Sequence, residues 1–339
     1  MKVALFEKPH ALRVTTKPLR TLGSEEVLVR VDACGICGTD VHIVEGTARS
    51  SPPVVLGHEY VGTIEDIGKE VAGITGGGRV AIDPNISCGT CYYCRHGLVH
   101  LCSNLRALGV DIDGGMAEYS IVPAQQTYAL PDTMKPELGV FIEPVSCAIH
   151  GIDKAQIRTG DTVLIIGAGT IGLIMLQLVR HAGAARTIVV EPLREKRDIA
   201  RLLGADVLLD PAESDVSSAV ADLTTVGADV VIECVGKVQT MQLAIDAARR
   251  GGTVEFFGVC PIGEKVALEP NQVYFKELTI VGSYVNPHTF ARSIAMLHAG
   301  RVSTDGFMIH TFPLDGIHEA LAHQRDGRTI KSLVRPHAA

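Results

Sequence analysis

From about residue 160 the apolar positions fall into short continuous runs separated by longer ones with helical character. The run Thr162-Val-Leu-Ile-Ile166 is strand-length and apolar after its first residue, as a strand buried on both faces is. Residues 171–182 are apolar nearly all round, as in a helix packed on a sheet. Buried strands are expected at 187–190, 207–209, 230–232, 252–257 and 278–281, with helices at 193–203 and 241–248. Strands alternating with helices predict a doubly wound, parallel α/β sheet. The first 140 residues differ: they are rich in Gly, Pro, Val and Thr, with alternating runs such as Glu26-Val-Leu-Val-Arg-Val31. These predict short strands joined by turns. After residue 285 the pattern changes again, to a helix near 290–299 and strands near Ile309 and Lys331. That tail is too short for a third domain and is expected to rejoin the N-terminal one. The predicted domains are 1–145 with 286–339, and 146–285 between them.

Composition narrows the function. A chain of 339 residues with 46% hydrophobic and 20% charged residues is an ordinary globular protein of about two domains. The net charge of -7, with Lys and Arg dispersed, argues against nucleic acid as a partner. No apolar run reaches the roughly 18 residues of a membrane span. The start, MKVALFEKPHALRV, lacks a signal-peptide pattern. A cytoplasmic location is expected. Nine cysteines, four of them clustered within 15 residues, read there as a metal site and not as a disulfide framework.

Gly167-Ala168-Gly169-Thr170-Ile171-Gly172 lies between a predicted strand and a predicted helix. In such a turn the first glycine allows the tight bend and the second lets the backbone approach a pyrophosphate. The third lets helix and strand pack closely. The anion then sits at the helix N-terminus, among free N–H groups. Glu191 ends the next strand, 19 residues past Gly172. A carboxylate there binds ribose hydroxyls and repels a 2′-phosphate, so the expected cofactor is NAD. Arg194 and Arg197 follow closely; pointing inward they would accept a 2′-phosphate, pointing outward they are solvated helix charges.

Cys88-x2-Cys91-x2-Cys94-x7-Cys102 supplies four soft ligands, which suit a closed, structural, tetrahedral zinc. The surrounding segment, 86–105, has little apolar content, so metal is expected to hold its shape. A nucleic-acid zinc ribbon usually has two knuckles separated by a hairpin, and the acidic charge balance also opposes it. A second candidate set is Cys37, His58 and Glu59, residue types found at catalytic zinc. Each taken singly reads as well as a buried core residue. Cys34, Cys147, Cys234 and Cys260 are expected to be buried small hydrophobes.

These segments, in this order, resemble the zinc-containing medium-chain alcohol and polyol dehydrogenases, on the sorbitol dehydrogenase-like branch. The likeness spans Cys37-Gly-Thr39-Asp40, Gly57-His58-Glu59, the four-cysteine lobe, the Gly-Ala-Gly-Thr-Ile-Gly turn and Ile142-Glu143-Pro144-Val-Ser146. The resemblance implies a GroES-like, mostly β catalytic domain completed by the C-terminal tail, beside a Rossmann NAD-binding domain. It implies two zinc ions per chain. Cys37 and His58 are carried over as ligands of the catalytic one. Glu143 stands where simple alcohol dehydrogenases have a second cysteine. Either Glu59 or Glu143 coordinates in such enzymes while the other holds a water. Asp40 is implied to orient His58. Thr39 is implied to bond the substrate hydroxyl and His42 to pass its proton towards solvent. The implied reaction moves hydride from a secondary alcohol of a polyol, sugar alcohol or cyclitol to NAD, giving a ketone. A homodimer or homotetramer is expected.

One departure concerns Gly282-Ser283-Tyr284-Val285-Asn286, where some sorbitol dehydrogenases carry an arginine and this chain has none. Tyr284 and Asn286 either line the cleft or serve packing or subunit contact. The rival enzyme reading is a threonine dehydrogenase-like oxidation of an amino alcohol. A zinc-free quinone reductase-like relative is disfavoured by two intact ligand sets. A non-catalytic, crystallin-like structural protein need not keep Cys37, His58 and Glu143 together.

Overall fold

The structure is a computed structural model and describes residues 1–338. The chain divides into two compact units. The first comprises Met1–Ser146, Asn286–His298 and Phe307–Ala339; the second comprises Cys147–Val285 and Ala299–Gly306. The short piece Ala299–Gly306, which the sequence reading kept with the tail, thus belongs to the second unit.

In the first unit the strand Glu26–Gly35 is the organising element. Its alternation turns Val27, Val29, Val31 and Ala33 into the core. One edge pairs antiparallel with Glu59–Ile67 along almost its whole length. The other edge is shared: Tyr119–Pro123 takes Glu26 to Arg30, and Lys331–Arg335 takes Cys34 and Gly35. The C-terminal strand is therefore an integral part of this sheet. A βαβ passage, Ile309–Pro313, Ile317–Arg325 and Lys331–Arg335, brings it there, with its two strands parallel.

The short helix Gly38–Glu45 follows the first strand and was not legible in the sequence. Gly38, Thr39, Asp40 and Val41 are weak helix formers. The turn is held because Asp40 Oδ2 accepts the Cys37 N–H at 2.9 Å, and it ends at Gly46, whose φ is 79°. A second helix, Ile142–Ala155, was also unread. Its Pro144 lies in the first turn, where proline is tolerated.

The second unit is a six-stranded parallel sheet. Its order runs Val207–Leu209, Arg186–Val190, Thr162–Ile166, Ala228–Glu233, Ala248–Phe256, Thr279–Gly282. The direction of winding reverses between Thr162–Ile166 and Ala228–Glu233. In such sheets ligands bind at that reversal, beyond the C-terminal ends of the strands. Val163, Leu164, Ile165 and Ile166 are all buried, as a central parallel strand requires. The helix Thr170–Ala182 buries Gly172 through Val179 and starts one residue earlier than the pattern predicts.

Candidate metal and dinucleotide sites

The dinucleotide turn lies wholly in the second unit, at the winding reversal. Gly167 has φ of 99°, which favours glycine. A Cβ at Gly172 would stand 1.9 Å from the Gly167 carbonyl oxygen, so helix and turn touch backbone to backbone. A Cβ at Gly169 would meet nothing, which leaves open space at the helix start. Gly169 is also the N-cap and brings no capping side chain. Each glycine thus has the feature its assigned role needs.

Glu191 is buried at the end of Arg186–Val190 and braces this turn. Its Oε2 accepts the Ala168 N–H at 2.8 Å and its Oε1 the Leu193 N–H at 3.0 Å. The two arginines are now distinguished. Arg197 is sequestered, with Nη1 donating to the carbonyls of Glu191 and Pro192 and 2.8 Å from Asp210. Arg194 has a side chain that is 85% exposed and lies 3.8 Å from Asp198.

In the first unit the four lobe thiols converge with ligand atoms within 4.8 Å of one another, and no disulfide links them. Backbone N–H groups of Cys88 and Asn104 donate to Cys102 Sγ, each at 3.3 Å. N–H groups of Thr90 and Cys91 pull the Cys88 thiol down to about 5, while desolvation and its neighbours push Cys94 up to about 11. Four sulfurs this close cannot all be thiolates without a cation among them. The donor set fits tetrahedral zinc.

Cys37, His58 and Glu59 form the second close set, also within 4.8 Å. Cys37 caps the short helix, and Glu59, directly after His58, opens the strand paired with Glu26–Gly35. Glu59 fits because residue 35 is glycine: a Cβ there would lie 2.4 Å from Glu59 Oε2. Asp40 Oδ1 stands 3.5 Å from His58 Nδ1, and the hydrogen bond between them is not closed, leaving both atoms buried without a partner. Burial opposes a charged imidazole, but Asp40 and the Cys37 sulfur outweigh it and hold His58 well above its usual value. The surroundings therefore demand positive charge, which a divalent cation would supply.

Glu143 is buried in the first turn of Ile142–Ala155 and is not a member of that close set. Thr39 is half-buried, with Oγ1 3.6 Å from Cys37 Sγ. His42 is exposed, and its Nδ1 bonds Thr47 Oγ1 at 3.2 Å, so it is directed to Thr47 and not to Thr39.

One residue was missed by sequence reasoning. Lys331 is 2% exposed, and its ammonium donates to Glu59 Oε2 at 2.5 Å and to the Ile36 carbonyl at 3.2 Å. Burial works against its charge, yet Glu59, Cys37 and Glu143 outweigh burial and raise it. Asn286, left between cleft and packing by the sequence, is buried in a hydrogen-bond network with Ser146 and Asn85, while Tyr284 is exposed. Of the four cysteines expected as buried, Cys34 is; Cys147, Cys234 and Cys260 are half-buried.

Comparison with known proteins agrees with this architecture. Residues 23–132 match the alcohol dehydrogenase GroES-like domain family, and residues 170–299 match the zinc-binding dehydrogenase family. The chain is 34% identical over 340 residues to D-arabinitol dehydrogenase 1 of Uromyces fabae, covering 99% of this chain and 97% of that one. It is 36% identical over 319 residues to L-threonine 3-dehydrogenase of Pyrococcus abyssi, covering 91% and 90%. A candidate zinc-binding dehydrogenase of Sinorhizobium meliloti, solved with NADP bound, superposes with a TM-score of 0.95 at 41% identity, covering 99% of both chains. The chain belongs to the zinc-containing medium-chain dehydrogenases: it is an alcohol dehydrogenase that uses zinc and a nicotinamide dinucleotide.

Proposed function

We propose that the protein oxidises a secondary hydroxyl of a polyol, sugar alcohol or cyclitol to a ketone, with NAD as acceptor. The observation that carries this reading is the Cys37, His58 and Glu59 set, with Glu143 buried on the neighbouring helix. One thiolate with two carboxylates at hand is a harder, more hydrophilic donor set than two thiolates. Such a set suits a substrate with several hydroxyls. The similarity to an arabinitol dehydrogenase supports the same substrate class.

In this reading zinc held by Cys37, His58 and one of Glu59 or Glu143 supplies Lewis acidity toward the alcohol oxygen. A nicotinamide dinucleotide held at the Gly-rich turn would supply the hydride acceptor. The chain's own residues do the rest. Asp40 faces His58 Nδ1 at 3.5 Å and would orient the ring that holds the metal. Thr39 Oγ1, beside the Cys37 sulfur, would accept a hydrogen bond from the substrate hydroxyl, and passage of its proton to solvent through exposed His42 would require that ring to turn from Thr47. Lys331 holds one oxygen of Glu59 and balances its charge. The lobe cysteines Cys88, Cys91, Cys94 and Cys102 hold a second, structural zinc.

NAD is preferred over NADP because Glu191 presents a carboxylate beside the Gly-rich turn and Arg197 is committed to Asp210. The NADP in the Sinorhizobium relative makes Arg194 the residue to watch. A cytoplasmic location is supported by the four converging lobe cysteines, a metal-type cluster that suits a reducing compartment. Among the described residues no helix is long and apolar enough to cross a membrane. Assembly into a homodimer or homotetramer is supported by apolar side chains on the second unit, Ile262 being 93% exposed with Val259, Tyr274 and Phe275 also exposed. The competing reading, oxidation of an amino alcohol, rests on the similarity to threonine dehydrogenases.

Metal analysis tests the two-site reading. The purified protein should carry about two zincs per chain. Cys37→Ser should lose one zinc and activity yet stay folded, while Cys91→Ser should destabilise the lobe. A fully active Cys37→Ser protein would overturn the assignment.

A further inference from the structure

We propose that Asn286 is a positioning residue for Glu143, acting through Ser146. The inference rests on the reading that Glu143 serves the catalytic metal. The chain leaves the first unit after Ser146 and re-enters it at Asn286. These two crossing residues are hydrogen-bonded to each other: Asn286 Nδ2 donates to Ser146 Oγ at 2.9 Å. Ser146 Oγ in turn donates to the Glu143 carbonyl at 2.6 Å. Thr289 Oγ1 donates to the Ser146 carbonyl at 2.7 Å. All three side chains are buried.

The far side of Asn286 is fixed as well. Its Oδ1 accepts from Asn85 Nδ2 at 2.5 Å, and its Nδ2 lies 3.4 Å from Asp83 Oδ1. Gln126 Nε2 braces this end by donating to the carbonyls of Asp83 and Asn85. The amide satisfies these partners in one orientation: flipped, its oxygen would face the Asp83 carboxylate. The relay thus runs from Asp83 and Asn85, through Asn286 and Ser146, to the backbone of Glu143. Glu143 opens a helix whose next residue is Pro144, so its first turn gains little from intrinsic propensity. The relay supplies the missing definition, and a buried carboxylate near a metal gains or loses its reach with the backbone that carries it.

Asn286→Asp tests this with a side chain of the same shape. It replaces the donor to Ser146 by an oxygen and sets a second carboxyl group against Asp83. Zinc affinities are read by competition with a chromophoric chelator, and ligand geometry by the visible spectrum after cobalt replacement. The proposal expects Asn286→Asp to weaken the zinc lost in Cys37→Ser by about tenfold and to alter the cobalt spectrum. The zinc of the four lobe cysteines should bind as before, an internal control in the same molecule. Ser146→Ala should act in the same direction and serves if Asn286→Asp does not fold. Glu143→Gln is the control for the underlying reading. If Glu143→Gln loses affinity while Asn286→Asp and Ser146→Ala keep it, the positioning role is overturned. If Glu143→Gln also binds zinc like the unmodified protein, Glu143 is no ligand and the proposal falls with that reading.

Discussion

Replacing Lys331 by Met removes the ammonium while keeping an unbranched apolar stem. What remains is Glu59, 1% exposed and facing no cation in the absence of metal. At 2.5 Å the pair's attraction is about 7 kcal/mol for an effective dielectric of about 20. Desolvation of both ions offsets much of that, so the intact pair adds little net stability. Breaking it is different, because the carboxylate stays buried without its partner; such losses run at about 3–5 kcal/mol. Lys331→Met should therefore destabilise the metal-free protein by about 3 kcal/mol or more. Adding Glu59→Gln should recover at least about 2 kcal/mol of it, an interaction term of the size found for contacting residues. The chain has no tryptophan, so urea unfolding is best followed by far-UV circular dichroism, with chelator present throughout. The folded Lys331 pKa lies above its ordinary value of 10.5, so the pair's contribution is complete below that value and lost as pH rises through the higher folded one. A single variant within about 0.5 kcal/mol of the parent, or a double variant whose loss is the sum of the two single losses, would refute the argument.

Glu255, buried in the second unit without a hydrogen-bond partner, has its carboxyl pushed up to about 7 by burial, with Ser283 and Lys154 lowering it by less. The folded protein then holds more protons than the unfolded chain between the ordinary value of 4.5 and about 7, so stability falls as pH rises through that window. Glu255→Gln should gain about 3 kcal/mol at pH 8 and nothing near pH 4, checked by urea unfolding at both; an unchanged pH dependence would contradict it. Steady-state kinetics with both cofactors should give NAD at least about a tenfold advantage in kcat/KM, and equal use of NADP would assign specificity to Arg194. Glu143→Cys should narrow the preference for polyols over simple alcohols, measured as a ratio of kcat/KM values; an unaltered ratio would remove Glu143 from substrate selection.

What the sequence made legible follows from where the signals are local. The central strand of the second unit is buried from Val163 to Ile166, so Thr162–Ile166 stands out with the observed bounds, and the half-buried edge strand Val207–Leu209 is marked by its three aliphatic residues. The Gly-rich turn and the lobe cysteines carry their chemistry in spacing alone. The helices at Gly38–Glu45 and Ile142–Ala155 were invisible because propensity does not mark them: the first depends on the Asp40 cap at Cys37, and the second carries Pro144 and Gly151. At Gly151 in the second of these, a Cβ would lie 2.6 Å from Glu255 Oε1, a constraint set by a residue far along the chain. Lys331 reads as the polar member of an alternating strand; its inward direction depends on Glu59, which meets it only in the folded sheet. Asn286 likewise acquires its role from Ser146 and Asn85, both distant in sequence.

Relative kcat/KM for polyols and simple secondary alcohols tests the central claim most directly. A substrate screen reading NAD reduction would include sugar alcohols, cyclitols, vicinal diols, threonine, isopropanol and 2-butanol. A second hydroxyl beside the reacting one finds polar groups at a site built from Glu59, Glu143 and Thr39. An analogue lacking it leaves those groups unpaired, which costs more than losing a methylene. The account predicts that the best polyol exceeds the best simple secondary alcohol by at least about tenfold, or roughly 1.4 kcal/mol in the barrier. Turnover of 2-butanol as fast as every polyol tested, or a clear preference for threonine, would contradict it.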